Sequence, residues 1–121
     1  MAEKVLLVDD EREFLDAMSL RLEARNVMVT CASSAQEAIE RVKKASFDAI
    51  IIDYQLPGMD GLKALELIKD TRPESRIILL TGYATVEKRS EAIEKGALDL
   101  LEKPVDLYVL CEKIRHPSKK E

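Results

Sequence analysis

Residues 47–61 read FDAIIIDYQLPGMDG, and the rest of the chain is organised around this stretch. Ala49, Ile50, Ile51 and Ile52 form an unbroken β-prone run, the composition of a strand covered on both faces. Asp53 follows at its carboxyl end. Leu56-Pro57-Gly58 then supplies a stiff turn: proline fixes φ, the residue before it is pushed to extended geometry, and glycine permits positive φ. An aspartate after a strand is, taken alone, also an ordinary turn former. In open α/β sheets, however, ligands bind outside the carboxyl ends of the strands, so the company Asp53 keeps decides between the two readings.

Working outward, Lys4 to Val8 is a first buried strand that ends in Asp9-Asp10. Phe14, Leu15, Met18 and Leu22 then mark one face of a helix, with Asp10 and Glu13 in capping-box spacing before it and Asn26 as its stop. Val27 to Cys31 alternates less cleanly and suits a sheet edge. Ser34 and Glu37 form a second capping box, opening a helix with Ala35, Ala38, Ile39 and Val42 on one face. Beyond Gly61, Leu62, Leu65 and Ile68 mark a third helix that must stop before Pro73. Arg76 to Leu80 is a buried strand ending at Thr81-Gly82. A helix from about Thr85 to Lys95 has a thin apolar face of Val86, Ala92 and Ile93, and Gly96 stops it. Leu98 to Leu101 is a fifth strand, broken by Lys103-Pro104. Asp106 caps a last helix carrying Leu107, Leu110, Cys111 and Ile114.

Strands alternating with helices in single file imply an α/β doubly wound five-stranded parallel sheet, a flavodoxin-like (βα)5 fold with right-handed crossovers. The three most apolar runs belong in the centre, which gives the order 2-1-3-4-5 and a chain reversal between the first and third strands. Asp9, Asp10 and Asp53 then share the switch-point crevice, with Thr81 and Lys103 on the same rim. At 121 residues the chain has room for one domain, with a core at about 4–114 and a polar tail at 115–121. With 23 acids against 19 bases, nothing in the charge balance attracts nucleic acid or an acidic membrane surface. No run is long enough to span a bilayer, and a cytoplasmic protein is expected. Cys31 and Cys111 are far apart and His116 stands alone, so structural zinc and disulfides are poorly supported. Buried reduced thiols are the default for the cysteines, core filling for the methionines, and a solvated side chain for His116.

Three carboxylates in one crevice repel one another, and a hard divalent cation resolves the conflict. An oxygen donor set suits Mg²⁺, with Mn²⁺ as the alternative. Lys103 adds a point charge and Thr81 a hydroxyl around an anion attached at Asp53, which describes phosphoryl transfer to a carboxylate. Each residue also has a plainer reading: Thr81 as a strand-end hydroxyl bonded to backbone, Lys103 as an exposed lysine, Tyr83 and Tyr108 as surface aromatics.

Taken in order, VDDE ending at Glu11, DYQLPGMDG from Asp53, LLTGYA around Thr81 and GALDLLEKP ending at Pro104 resemble a receiver domain of two-component response regulators, from Lys4 to about Ile114. The resemblance implies that Asp53 is the phosphoacceptor for a phosphohistidine on a sensor histidine kinase or phosphotransfer protein. It also implies that Asp10 ligates Mg²⁺ directly, Asp9 through water, and Gln55 through its main-chain carbonyl. Thr81 and Lys103 correspond to the hydroxyl and the lysine that bind phosphoryl oxygens, and the Lys103-Pro104 bond to one that is cis. Gln55 and Tyr83 fall where dephosphorylation is tuned. Receivers of this kind catalyse only their own phosphorylation and dephosphorylation, and switch a surface around the fourth helix, fifth strand and fifth helix.

One position departs from the pattern. Leu100 stands where an aromatic switch residue is usual, three before the lysine, so output is expected to rely on the fourth helix and Tyr83. The expected partners beyond the kinase are a downstream protein or an attached effector domain, or a second copy in a phosphorylation-dependent homodimer. LTGYATVE is similar to receivers placed ahead of transcription-activating domains, though a stand-alone regulator fits as well. Competing classes fit less well. An aspartyl-phosphate phosphohydrolase resembles DxD where this chain has Gln55, a nucleotide or flavin binder lacks GxGxxG and GxxxxGK, and a degenerate receiver would not keep every acid and Lys103.

Overall fold

The apolar runs seen in the sequence become the centre of a sheet in the computed structural model, which describes residues 2–115. In chain order the elements are β1 (Glu3–Val8), α1 (Arg12–Glu23), β2 (Val27–Ala32), α2 (Ala35–Lys44), β3 (Ala49–Asp53), β4 (Gln55–Leu56), β5 (Met59–Asp60), α3 (Gly61–Thr71), β6 (Ile77–Thr81), α4 (Val86–Glu94), β7 (Asp99–Glu102) and α5 (Leu107–Arg115). Five of the strands form one parallel sheet in the order β2-β1-β3-β6-β7. This is the doubly wound order expected, with the chain reversal between β1 and β3.

Successive side chains of a strand point to opposite faces, so an uninterrupted apolar strand feeds two cores. Leu6, Val8, Ile50, Ile52, Ile77, Leu79 and Leu100 pack with Val42, Leu65, Ile68 and Ala92 from α2, α3 and α4. Val5, Leu7, Ile51, Ile78 and Leu80 pack on the other side with Leu15, Met18 and Leu22 of α1 and Leu110 and Ile114 of α5. Burying one such side chain is worth about 1.5–3 kcal/mol, and the largest fully buried ones lie mostly on β1, β3 and β6. Among the described residues no helix is long and apolar enough to cross a membrane.

Several local expectations are corrected. The turn after Asp53 carries a two-residue antiparallel hairpin, β4 with β5, folded around Pro57-Gly58 with Gly58 at φ 76°; a type II turn needs that sign of φ at its third residue. The first capping box does not form. Glu11 occupies the N-cap of α1 without a side-chain bond, while Asp10 joins the acidic cluster. In the second, Ser34 accepts from the Glu37 N–H as expected, but the Glu37 carboxylate accepts from Ser33 rather than Ser34. Thr81 and Glu102 lie inside strands rather than after them. Cys111 is buried but Cys31 only half so, and Met28 is 56 % exposed on the edge strand β2. His116 and the tail from 116 lie outside the described residues.

The largest correction concerns α4. Of its expected apolar face only Ala92 is buried, while Val86 is 78 % and Ile93 48 % exposed. A helix at the sheet edge has little strand surface to cover, and charge holds it instead. Asp99, 2 % exposed, receives the Arg89 guanidinium of α4 at 2.7 Å, the Lys113 ammonium of α5 at 2.9 Å and the Leu100 N–H at 2.8 Å. Both oxygens of this buried carboxylate are satisfied, the condition for burying a charge at all.

Candidate functional site

Register builds the site. Val8 pairs with Ile52 across β1 and β3, so the next residues, Asp9 and Asp53, stand on neighbouring strand tips. Parallel neighbours lie about 4.8 Å apart, so these two carboxylates cannot avoid each other. Asp10 joins them, and one oxygen from each of the three lies within 4.8 Å of the others. Asp9 is buried, Asp53 half-buried and Asp10 exposed.

Lys103 enters from the far side of the sheet. Its ammonium donates to Asp9 Oδ2 at 2.9 Å and to Asp53 Oδ2 at 3.4 Å. Its ammonium nitrogen lies 4.4 Å from the centre of the Phe14 ring, a cation–π contact supplied by α1. The Lys103 N–H donates to the Thr81 carbonyl at 2.7 Å, and the Lys103-Pro104 bond is cis.

The electrostatics follow from these contacts. Burial raises the Asp53 carboxyl above its ordinary range, and the Asp9 charge adds to the rise; the Gln55 N–H and Lys103 pull the other way without cancelling it. For Lys103, burial alone would lower the ammonium, but bonding to Asp9, with the charges of Asp9 and Asp53, lifts it above its usual value. Three carboxylates against one ammonium leave an excess of negative charge aimed at solvent through Asp10.

A metal fits this donor set. Mg²⁺ takes oxygens at roughly 2.0–2.1 Å in an octahedron, which spaces its ligands about 3–4 Å apart. Three carboxylate oxygens within 4.8 Å are compatible with one or two direct contacts and water completing the shell.

The remaining expected residues divide. Gln55 adjoins the cluster, its N–H donating to Asp53 Oδ1 at 3.2 Å. Thr81 is buried at the tip of β6, but its hydroxyl accepts from the Tyr83 N–H at 3.3 Å and lies 3.5 Å from the Tyr83 carbonyl, so in this arrangement it serves its own loop. Tyr83 is 71 % exposed. Leu100 is buried opposite Leu79 within the core and is not part of the cluster.

Gly61 was not singled out from the sequence. Its N–H donates to the Tyr54 carbonyl at 2.6 Å, folding the hairpin back onto the chain beside Asp53. A Cβ there would lie 2.7 Å from the Asp53 carbonyl oxygen and 2.8 Å from the Tyr54 Cα. Backbone cannot swing aside as a side chain does, so Gly61→Ala is expected to cost about 1–3 kcal/mol, read as a lower urea midpoint at unchanged slope.

Comparison with known proteins agrees with this geometry. Residues 5–115 match the family model described as response regulator receiver domain. The chain is 36 % identical over 117 residues to the response regulator protein FleR of Pseudomonas aeruginosa, covering 96 % of this chain and 25 % of FleR. It thus spans a quarter of that relative's length. A response regulator receiver domain protein from Clostridium thermocellum superposes with a TM-score of 0.89 at 31 % identity, covering 97 % of this chain and 94 % of that one. A Burkholderia pseudomallei response regulator, solved with a phosphorylated aspartic acid, calcium ion and citrate, superposes with a TM-score of 0.86 at 28 % identity, covering 94 % of this chain and 67 % of that one. With sheet order, crevice and family match in agreement over nearly its whole length, this chain belongs to the receiver domains of two-component response regulators.

Proposed function

We propose that this chain is a phosphorylation-controlled binding switch in which Asp53 takes a phosphoryl group from a phosphohistidine on a sensor histidine kinase or phosphotransfer protein. The observation that supports it most is the Lys103 ammonium bonded to both Asp9 and Asp53 at the mouth of the acidic cluster. An Asp53 oxygen attacks phosphorus in line. The P–N bond to the donor imidazole breaks, and its electron pair stays on nitrogen. Negative charge on the equatorial oxygens is met by the Lys103 ammonium and by the Thr81 hydroxyl once it leaves the Tyr83 backbone. Asp10 and the Gln55 carbonyl would hold Mg²⁺ directly and Asp9 through water, and the metal's chemistry there is to neutralise charge on the phosphoryl oxygens. The Burkholderia structure, with its phosphorylated aspartic acid and calcium ion, is in keeping with this reading.

Water later attacks the same phosphorus and frees phosphate, with Gln55 and Tyr83 tuning how soon. No outside metabolite is turned over. Output passes through the surface of α4, β7 and α5, where Tyr83, Val86, Ile93 and Tyr108 are exposed and Leu100 offers no ring. Its recipient is a downstream protein, an attached effector domain, or a second copy of the chain, in the cytoplasm.

Incubation with acetyl phosphate and Mg²⁺, followed by intact mass, tests the reading. One phosphate per chain, lost in base or hydroxylamine, is expected. Repeated hydrolysis of p-nitrophenyl phosphate would point to a phosphatase instead.

A further inference from the structure

The loop joining β6 to α4 is fastened by two charged side chains that the proposed chemistry does not use. The Tyr83 carbonyl accepts from the Lys88 ammonium at 2.7 Å, and the Ala84 N–H donates to Glu102 Oε1 at 2.9 Å. Lys88 comes from the first turn of α4, where Thr85 Oγ1 accepts from its N–H at 3.1 Å. Glu102 comes from the end of β7, beside Lys103. The Lys88 ammonium also stands 5.1 Å from the centre of the Tyr54 ring and 5.7 Å from that of Tyr83. It thereby touches both the residue that follows Asp53 and the loop that follows Thr81.

These fastenings bear on the Thr81 hydroxyl. Its own contacts with the Tyr83 backbone, at 3.3 and 3.5 Å, are long and weak. The bonds from Lys88 and Glu102 are shorter and charge-assisted, and they hold the peptide groups the hydroxyl leans on. For Thr81 to donate to an oxygen carried by Asp53, its hydroxyl must part from the Tyr83 peptide. Lys88 and Glu102 resist that movement.

We propose that Lys88 and Glu102 are positioning residues forming a clasp, which keeps the β6–α4 loop and the Thr81 hydroxyl in a resting arrangement that occupancy of Asp53 must open. The inference rests on the reading of Asp53 as phosphoacceptor and adds how that site is regulated. A restraint present only in the resting state lowers apparent affinity by the fraction of molecules that are competent. Losing one charged contact of this partly exposed kind should therefore tighten binding about three- to tenfold.

The probe is beryllofluoride, a phosphoryl mimic, titrated with Mg²⁺ into the whole chain and followed by backbone NMR. Lys88→Met decides the matter because the two effects on it have opposite sign. Removing a positive charge near an anion weakens binding, whereas opening the clasp strengthens it. Lys88→Met and Glu102→Gln should each bind about three- to tenfold more tightly than wild type, with Lys88→Arg unchanged. In metal-free protein the Ala84 amide should also exchange faster in Glu102→Gln. Wild type that binds while Lys88→Met binds equally or more weakly overturns the clasp alone. Wild type that binds no beryllofluoride overturns the phosphoacceptor reading, and the clasp falls with it.

Discussion

Lys103→Met is expected to take up phosphate from acetyl phosphate about 10²- to 10³-fold more slowly than wild type, the usual loss when one fixed donor to a developing oxyanion is removed. Methionine keeps an unbranched apolar stem, so the change isolates the ammonium and its contact with the Phe14 ring. Its other consequences have definite signs. Asp9 is 1 % exposed and loses the partner that compensates it, so the metal-free protein should be destabilised by about 1–3 kcal/mol. Mg²⁺ should bind the variant more tightly, because Lys103 competes with the metal for the oxygens of Asp9 and Asp53. A variant with slower uptake and stronger Mg²⁺ binding would show that the lysine serves the transferring group rather than the metal. Progress of uptake by intact mass and a Mg²⁺ titration supply both readings. At neutral pH the ion pair is at full strength. The raised lysine loses its contribution only in strongly alkaline solution, as pH climbs through its folded value.

Divalent metal should change both activity and stability. EDTA is expected to abolish uptake, and Mg²⁺ at 100 times its dissociation constant to stabilise the fold by about 2.7 kcal/mol, seen as a rise of about 10 °C in melting temperature. The physical source is the unpaired negative charge of the cluster. Asp53 has a raised carboxyl in the folded state, so the folded form holds its proton more firmly than the unfolded chain does. Stability of the metal-free protein therefore falls as pH rises from the ordinary carboxylate range through that raised value, and the whole penalty is present above it. Asp53→Asn removes it: the variant should melt above the metal-free wild type, gain less from Mg²⁺ and take up no phosphate. A melting temperature indifferent to Mg²⁺ would contradict the metal site.

How much of this was legible in the sequence depended on whether the cause was local. Unbroken apolar runs, glycine and proline punctuation and the acids at strand ends all act over a few residues, so sheet order and the meeting of Asp9, Asp10 and Asp53 could be read directly. The hairpin of β4 and β5 was hidden because a two-residue pairing leaves no periodicity of its own. The face of α4 is thinner still than its spacing suggests, for a different reason. Val86 and Ile93 are apolar at helical spacing, but whether a face is covered depends on the strand surface beneath it, and at the sheet edge there is little. What orients α4 instead is Asp99 with Arg89 and Lys113, a grouping drawn from three elements that no spacing rule links. Gly61 had a visible signal in the second glycine of LPGMDG, yet its reason, close approach to the backbone of Asp53 and Tyr54, exists only once the chain folds back. The resting bonds of Thr81 were likewise settled by the loop around it.

The most direct test of the central claim is where the phosphate goes. Wild-type protein loaded from acetyl phosphate with Mg²⁺ and reduced with borohydride, which turns an acyl phosphate into an alcohol, should yield homoserine at position 53 alone by tandem mass spectrometry. Homoserine at Asp9 or Asp10 in place of Asp53, or at no position, would contradict it.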